Sequence, residues 1–381
     1  MSWQNSTNTG FKEENRLSTG RRLLYRLHID LPLWIGIMIL SAMGMVVLYS
    51  AGDKSLELLN RQFVRLLIAF IVMLMVAQIN PNTLKHWAPW LFGLGLLMLI
   101  AVLVVGEVGK GAQRWLDLGV FRFQPSELMK IAVPLMTAWY LAEAPLPPKM
   151  GRLMVAIIIV LVPTILIAKQ PDLGTSILIA SSGIFVLLLA GLRWQIIASV
   201  MVLMAASAPL FWNYLLHDYQ RQRILTFLNP ETDPLGSGYH IIQSTIAIGS
   251  GGIYGKGWLN GTQAHLDFLP ERSTDFVFAV FSEEFGFLGI LLLLAVYVAI
   301  ISRGIIIAVN AQDTFSRLVA GSLTLTFFVY VFVNIGMVSG ILPVVGLPLP
   351  LISYGGTSMV TIMAAFGILM SIQTHRKLVG A

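Results

Sequence analysis

The sequence contains no cysteine among its 381 residues. Disulfide bonds, iron–sulfur clusters and zinc sites with thiolate ligands are therefore excluded. Charged residues are also scarce, since they make up 12% of the chain, whereas a soluble globular domain carries about 25%. Hydrophobic residues supply 56% of the chain, and the mean hydropathy is +0.78. This balance excludes a water-soluble enzyme of this length and indicates a polytopic membrane protein.

Apolar windows long enough to cross a bilayer, about 20 residues each, recur ten times along the chain. We therefore predict an all-α integral membrane protein with ten transmembrane helices. The fourth window is the weakest, because it is short unless the preceding QPSELMK (124–130) belongs to it. The windows cover residues 31–50, 63–79, 87–106, 131–142, 153–168, 175–192, 195–216, 275–300, 317–338 and 355–372.

The distribution of basic residues orients these spans. The polar segment 1–30 is too long ahead of the first apolar run for a cleaved signal peptide, and we expect a retained basic tail. An even number of spans places both termini on one side, and basic residues in both tails predict that this side is the cytoplasm. The expected organisation is a tail at 1–30, a membrane domain at 31–373 and a second tail at 374–381, in the bacterial inner membrane.

The outer loops carry more cations than this topology requires. Of the 25 Lys and Arg residues, 13 fall on the inner side and 12 on the outer side. The excess of basic residues on the inner side therefore nearly vanishes, and the orientation of the spans does not explain the twelve outer cations. We interpret them as evidence for an anionic partner on the outer face.

Three outer segments are not simple turns. Residues 108–130 mix Arg, Trp and Phe, as in a segment that lies at the membrane interface. Residues 217–274 form a loop of 58 residues before the eighth span, far longer than a connection requires. Residues 339–354 contain three prolines among apolar residues and cannot form a regular helix. Non-helical backbone at membrane depth must be sheltered by protein or line a cavity.

Asp275 lies in FLPERSTDFVFAV (268–280), directly ahead of an apolar run. It follows Ser273 and Thr274, either of which can cap a helix whose first turn contains the acid. One interpretation is an acid favoured there by the helix dipole; the other is a general base at the membrane surface. Glu283 and Glu284 lie eight and nine residues later and cannot both share its site. For at least one of them we expect a helix-to-helix hydrogen bond or a protonated state.

A second group of candidates precedes the fourth span. Pro125 suits a first helical turn, and Glu127 and Lys130 can pair on one helical face. They form either an ordinary ion pair or the charged lining of a cavity. Arg114 and Arg122 are suited to phosphate oxygens as a cluster, although a single arginine can simply extend to the interface.

Two further outer segments carry polar candidates. Asp172, in KQPDLGTS, can simply cap the sixth span, and HDYQRQRI supplies Gln220 within the long loop. Two functions fit these observations: an enzyme acting on an anionic, lipid-linked substrate, or a flippase for such a lipid. A transporter is expected to have broken helices in corresponding positions of two halves. Here the polar residues concentrate on the outer side before spans 4 and 8, which favours the enzyme.

The same segments resemble the SEDS family of cell-wall polymerases over roughly residues 30–378. Two of them, DPLGSGYHIIQS and NIGMVSGILPVVGLPLPL, favour its RodA-like branch over its FtsW-like branch. The matching motifs are KGAQRWLDLG, RFQPSELMKIA, QPDLGTS, HDYQRQRI, DPLGSGYHIIQS, FLPERSTDFVFAV, NIGMVSGILPVVGLPLPLISYGG and THRK.

The resemblance implies a peptidoglycan glycosyltransferase that joins lipid II units through β-1,4 bonds and releases undecaprenyl pyrophosphate. It implies that Asp275 is the essential acid, with or without a divalent cation (Mg²⁺ or Mn²⁺) as cofactor. A lipid II flippase is the alternative. The residues implied to bind substrate are Arg61, Arg114, Arg122, Glu127, Lys130, Asp172 and Gln220.

The resemblance also implies partners. These are lipid II as substrate, a class B penicillin-binding protein as transpeptidase, and the elongation proteins MreB, MreC, MreD and RodZ. Membrane lipids surround the chain, and no nucleic-acid partner is implied.

Overall fold

The computed structural model describes residues 27–109, 112–117, 122–210, 221, 225–227, 229, 237–265, 269 and 271–375. The helices are α1 (Leu31–Ala51), α2 (Leu56–Ala77), α3 (Pro81–Val105), α4 (Pro125–Ala142), α5 (Met150–Lys169), α6 (Leu173–Leu189), α7 (Trp194–Leu210), α8 (Ser237–Ser250), α9 (Thr262–His265), α10 (Val277–Val309), α11 (Thr314–Val338) and α12 (Thr357–Thr374). Three short antiparallel strands, β1 (Glu107–Gly109), β2 (Ala112–Asp117) and β3 (Arg122–Phe123), join α3 to α4.

The predicted class, an all-α membrane protein, is confirmed. Each of the ten apolar windows overlaps one of the helices α1–α7 or α10–α12. Within the described part of the chain, seven helices are long and apolar enough to cross a membrane, and α6 is a shorter apolar helix. The span count of ten remains a prediction. Helix α4 begins at Pro125, so QPSELMK does extend the short fourth window as required.

Short polar side chains fix where several helices begin. Asp30, Ser55, Asp172 and Asp313 each accept a hydrogen bond from a backbone N–H of the first turn. These amides have no partner within the helix, and a capping side chain stabilises a helix by about 1 kcal/mol. The caps therefore set the ends of the spans at the edges of the apolar windows.

Helix α11 lies at the centre of the bundle. The buried share of its apolar window is 67%, against 17% for α2. Helix α2 is therefore peripheral and presents most of its apolar side chains to lipid, and α11 packs against other helices on most sides. This arrangement makes α11 the element from which neighbouring segments are positioned.

Helix α10 is interrupted at Gly286, which the apolar window did not predict. Gly286 has φ +62° and ψ −164°, a backbone conformation that side chains with a Cβ rarely adopt. The loop 251–257 fills the interruption with its own backbone: the N–H of Phe287 donates to the carbonyl of Gly252 at 2.9 Å, and that of Lys256 to Glu283 at 3.0 Å. The backbone groups freed by the break are thus satisfied, as a low-dielectric surrounding requires.

The proline-containing segment 339–354 is non-helical, as predicted. It connects α11 to α12, and buried side chains hold its backbone. Asn334 Nδ2 donates to the carbonyl of Leu347 at 2.6 Å, and the Tyr297 hydroxyl donates to that of Pro350 at 2.8 Å. A Cβ at Gly44 would collide with the carbonyl oxygen of Leu351, so α1 packs directly on this segment. The segment is sheltered by protein, which is the condition for irregular backbone at membrane depth.

Candidate active site

Asp275 lies in a turn, residues 271–276, immediately before α10. Helix α10 begins at Val277, and its N-cap residue, Phe276, makes no side-chain capping bond. The expectation that Asp275 belongs to a helical first turn capped by Ser273 or Thr274 is therefore wrong. The physical reason is that the Thr274 hydroxyl is used inside the turn, where it lies 2.8 Å from the Glu271 carboxylate.

The backbone around Asp275 is fixed from two sides. Asn334 on α11 donates from Nδ2 to the Asp275 carbonyl at 2.9 Å. From the irregular segment, the Ser353 hydroxyl donates to the carbonyl of Thr274 at 2.5 Å. The Tyr354 N–H donates to the carbonyl of Ser273 at 2.8 Å. Three consecutive carbonyls are thus held by elements distant in sequence, and this holds the turn rigidly in place.

The Asp275 carboxylate faces the irregular segment and is partly exposed. Gly346 there has φ +74°, and a Cβ added to it would lie 3.5 Å from Asp275 Oδ2. A glycine at this position suits both the backbone angle and the close approach of the carboxylate. The turn therefore presents an accessible acid on a rigid support, as a general base requires.

The predicted ion pair at the start of α4 is confirmed. Lys130 Nζ lies 2.7 Å from Glu127 Oε1, and the two side chains are 6% and 7% exposed. The ammonium also lies 5.3 Å from the centre of the Tyr330 ring on α11. Glu127 Oε2 is buried without a hydrogen-bond partner. A buried charged pair with an unused acceptor carries more polarity than packing alone requires.

Helix α11 connects this pair to Asp275. Tyr330 contacts Lys130, and Asn334 holds the Asp275 backbone. The two α11 residues are four positions apart, so they share a face with a rise of about 6 Å between them. Sequence reasoning missed both. A signal was available for Asn334, because an amide in an otherwise apolar span, here fully buried, is a functional candidate by default.

A small cavity lies between α4, α11 and α12 beside the ion pair. Its volume is about 30 Å³, and its polar lining comes from Lys130, Thr326, Tyr330 and Thr361. That volume and those partners suit a water molecule. Lys130 therefore contacts a cavity, whereas Glu127 lies outside its lining.

Asp172 caps α6 as predicted and also joins the group around α4. Its Oδ1 accepts from the Thr175 N–H at 3.3 Å, and its Oδ2 accepts from Gln124 Nε2 at 3.3 Å. Gln124 directly precedes α4. Arg114 on β2 approaches the same carboxylate, with Nε 3.8 Å from Oδ2, and donates from Nη2 to the carbonyl of Pro171 at 2.5 Å. Asp172 thus connects β2, the residue before α4 and the first turn of α6.

Arg61 is not brought to this group. It pairs with Glu57 one turn earlier on α2, and these side chains are 64% and 75% exposed. Helix α2 reaches the site through other residues, which sequence reasoning did not select. Gln62 is buried and donates to the carbonyl of Ser353 at 3.3 Å, and the Arg65 guanidinium lies 4.4 Å from the centre of the Tyr354 ring.

Two of the predicted substrate-binding residues cannot be placed in this way. The backbone of Arg122 pairs with Asp117 between strands β3 and β2, and its side chain lies outside what the structure describes. Gln220 lies outside the described residues.

Glu283 and Glu284 have structural roles away from Asp275. Glu283 is fully buried and accepts from Lys256 Nζ at 2.6 Å and from the backbone N–H of Thr262 at 2.9 Å. It thereby joins the loop 251–261 and the start of α9 to α10. Glu284 accepts a short hydrogen bond from the Ser50 hydroxyl on α1. The expected helix-to-helix hydrogen bond for at least one of these acids is confirmed by Glu284.

Across the described ranges, no three His, Asp or Glu side chains are grouped closely enough to hold an ion. Of the acids of the site, Glu127 is used in an ion pair and Asp172 in a helix cap.

Comparison with known proteins gives matches over nearly the whole chain. The family model of the cell cycle proteins FtsW, RodA and SpoVE matches residues 22–378. Peptidoglycan glycosyltransferase MrdB of Escherichia coli K12 is 54% identical over 353 residues, which cover 93% of this chain and 95% of that protein.

Two solved structures have the same fold. One, described as a peptidoglycan synthase complex that coordinates polymerization and crosslinking, contains a chain 32% identical with a TM-score of 0.80, covering 91% of this chain and 99% of that one. The rod shape determining protein RodA of Thermus thermophilus is 28% identical with a TM-score of 0.69, covering 91% and 98%. The match spans nearly the whole chain in sequence and in structure, and the protein belongs to the FtsW/RodA/SpoVE family.

Proposed function

We propose that this protein is a peptidoglycan glycosyltransferase that polymerises lipid II, with Asp275 as its general base. The observation that supports this most is the placement of Asp275: a partly exposed carboxylate on a turn held by α11 and by the irregular segment. Relatives named as peptidoglycan glycosyltransferases, 54% identical in one case, support the reaction class.

The proposed step is a displacement at a sugar carbon. Asp275 removes the proton of the acceptor's 4-hydroxyl as that oxygen attacks the anomeric carbon of the donor. A β-1,4 bond forms, the bond from that carbon to the pyrophosphate breaks, and undecaprenyl pyrophosphate leaves with the electron pair. The proton remains on Asp275 until solvent takes it.

Cations near the site would stabilise the leaving group. Lys130 keeps its ammonium beside a cavity, and Arg114 retains a side chain that is 34% exposed. Fixed cations aimed at developing charge are among the strongest catalytic contributions in a site from which water is excluded. We assign substrate contacts to Arg114, Lys130 and Asp172. We also assign one to Arg61, which is exposed on α2. Arg122, Glu127 and Gln220 complete the proposed set.

Replacing Asp275 by Asn tests its role as general base. The amide has nearly the same shape and cannot accept a proton at neutral pH, so polymerisation should fall by about 10²–10⁴-fold, the usual contribution of a positioned base. The measurement is glycan product on gels, made by purified protein from lipid II, with and without a partner transpeptidase.

A matched control is available in the same turn. Glu271→Gln removes an exposed carboxylate four residues away and keeps an acceptor for the Thr274 hydroxyl, so activity should be retained. Equal thermal unfolding of all three proteins would establish that the fold is intact. Glycan synthesis at the wild-type rate by a folded Asp275→Asn protein would contradict the role proposed for Asp275.

A lipid II flippase is the alternative, and one observation bears on it. Buried charged and polar groups of the site, Glu127, Lys130 and Asp172, lie at the beginnings of α4 and α6, on the side of the bundle where α10 begins. Supplying lipid II only on the outer side of proteoliposomes separates the two functions, because an enzyme forms polymer there and a flippase forms none.

We infer the partners and the location from the same family. The synthase complex among the structural relatives supports a class B penicillin-binding protein as partner, and we extend the proposal to MreB, MreC, MreD and RodZ. The chain is a multi-pass membrane protein. We place it in the inner membrane with both termini in the cytoplasm, so that Asp275 faces the periplasm.

A further inference from the structure

A second cavity lies at the opposite end of the bundle from Asp275. It is enclosed by the connection from α4 to α5 and the connection from α6 to α7, and its volume is about 360 Å³. Gly191 has φ +89°, and a Cβ there would lie 3.4 Å from the Cβ of Pro147, so the two connections touch. Successive helices alternate in direction, and this end therefore also holds the described termini, where the rings of His28 and His375 stack.

The cavity is lined by two cations, Lys149 and Arg193, both exposed. Arg152, one turn into α5, adds a third charge; its guanidinium lies 5.8 Å from the centre of the Tyr140 ring, and its Nη1 is buried without a hydrogen-bond partner. None of the three forms an ion pair with another residue in the part of the chain that the structure describes. The acid nearest in sequence, Glu143, directly follows α4 and does not line the cavity.

The start of α5 adds to this positive potential. Lys149 is the N-cap residue of a 20-residue helix and makes no side-chain capping bond. The first amides of α5, beside the cavity, therefore have no side-chain cap from Lys149, and a helix N-terminus favours an anion. Cations from two connections and one helix end converge on a volume typical of a ligand site, about 300–1,000 Å³.

An apolar surface continues from the cavity into the membrane. Leu153 and Ile196 form part of its wall. Trp194, at the start of α7, is 75% exposed, as is usual for tryptophan at the level of lipid headgroups. An exposed stripe then runs along α5 at helical spacing. Its members are Met150, Met154, Ile158, Leu161 and Ile165.

We propose that this cavity binds the phosphate-bearing headgroup of an anionic phospholipid, with Lys149 and Arg193 contacting the phosphate and an acyl chain lying along the α5 stripe. Basic pockets between membrane helices favour such headgroups electrostatically. A free phosphate ion would satisfy the same cations but not the apolar stripe. The site is independent of the glycosyltransferase chemistry at the other end of the bundle.

The test compares bound lipid on matched variants. Full-length protein is purified from nanodiscs of phosphatidylglycerol and phosphatidylcholine, and the retained lipids are counted by native mass spectrometry. The double variant Lys149→Gln, Arg193→Gln should lose about 25-fold in affinity for phosphatidylglycerol, from about fivefold per cation. The control Lys85→Gln, Arg317→Gln removes two cations at the same end, outside the cavity lining, and should retain it.

A charge-preserving variant guards against effects on folding. Lys149→Arg with Arg193→Lys keeps both cations and should bind phosphatidylglycerol as the wild type does. Equal retention by the Gln double variant and the control would overturn the proposal, as would equal retention of phosphatidylglycerol and phosphatidylcholine by the wild type. Displacement of the lipid by inorganic phosphate at millimolar concentration would identify a soluble-anion site and overturn the lipid assignment.

Discussion

At the scale of single residues, the site depends on a few polar side chains. Lys130 is the informative case, because it has a carboxylate on one side and a tyrosine ring on the other. Breaking a buried ion pair by removing one member leaves the other charge uncompensated, at a cost of about 3–5 kcal/mol. Loss of activity in a single variant would therefore not separate catalysis from folding.

An exchange of charges does separate them. Lys130→Glu places two acids together and should lower both thermal stability and polymerisation. Exchanging both residues, Glu127→Lys with Lys130→Glu, restores an opposite-charge pair at i,i+3 and should recover stability. Activity should stay low, because the cation no longer lies beside Tyr330 and the small cavity. Thermal unfolding and the glycan assay on the same preparations measure the two effects, and full recovery of activity by the exchange would reduce the pair to a structural role.

At the scale of elements, the break in α10 requires a glycine at position 286. A Cβ at Gly286 would lie 2.2 Å from the backbone N of Gly255, and φ is +62°. Gly286→Ala should therefore displace the loop 251–257 and destabilise the protein, since backbone strain of this kind costs about 1–3 kcal/mol before any clash. The control is Gly93→Ala in α3, where a Cβ would meet nothing within 4 Å. That change should be neutral or stabilising, and equal unfolding temperatures for the two variants would contradict the argument.

The same elements show what sequence reasoning could reach. Apolar windows located the helices because a lipid surrounding imposes long apolar runs. The interruption at Gly286 could not be predicted from the apolar pattern, because the backbone groups that it frees are hydrogen-bonded by a loop about 30 residues earlier in the chain. The sequence also could not show that Arg65, and not Arg61, contacts Tyr354. Both arginines lie on α2 one turn apart, and only tertiary packing decides which one meets the ring. Asp275 could be selected from its position, whereas its support by Asn334, 59 residues away, could not.

At the scale of the whole molecule, the segments just before α1 and just after α12 meet. The rings of His28 and His375 stack with centres 4.0 Å apart, and His28 Nδ1 lies 3.0 Å from the Thr374 hydroxyl. Nearby, Arg303 on α10 binds Asp30, the residue that caps α1, at 2.6 Å. The chain is thus closed at the end opposite Asp275, so the first and last spans are fixed to each other.

This closure should weaken in acid. Burial, together with the neighbouring His375, lowers the pKa of His28 below its usual 6.5, so the native protein binds a proton less readily than the unfolded chain. Stability contributed here is therefore present at neutral pH and lost as pH falls through 6.5 toward the lowered native pKa. The thermal unfolding temperature of the wild type should fall between pH 7.5 and 5.5. His28→Gln, which can still bond Thr374 but cannot titrate, should show a smaller fall, whereas His86→Gln on the exposed part of α3 should follow the wild type. Identical pH dependence for His28→Gln and the wild type would show that the stacked pair does not govern the closure.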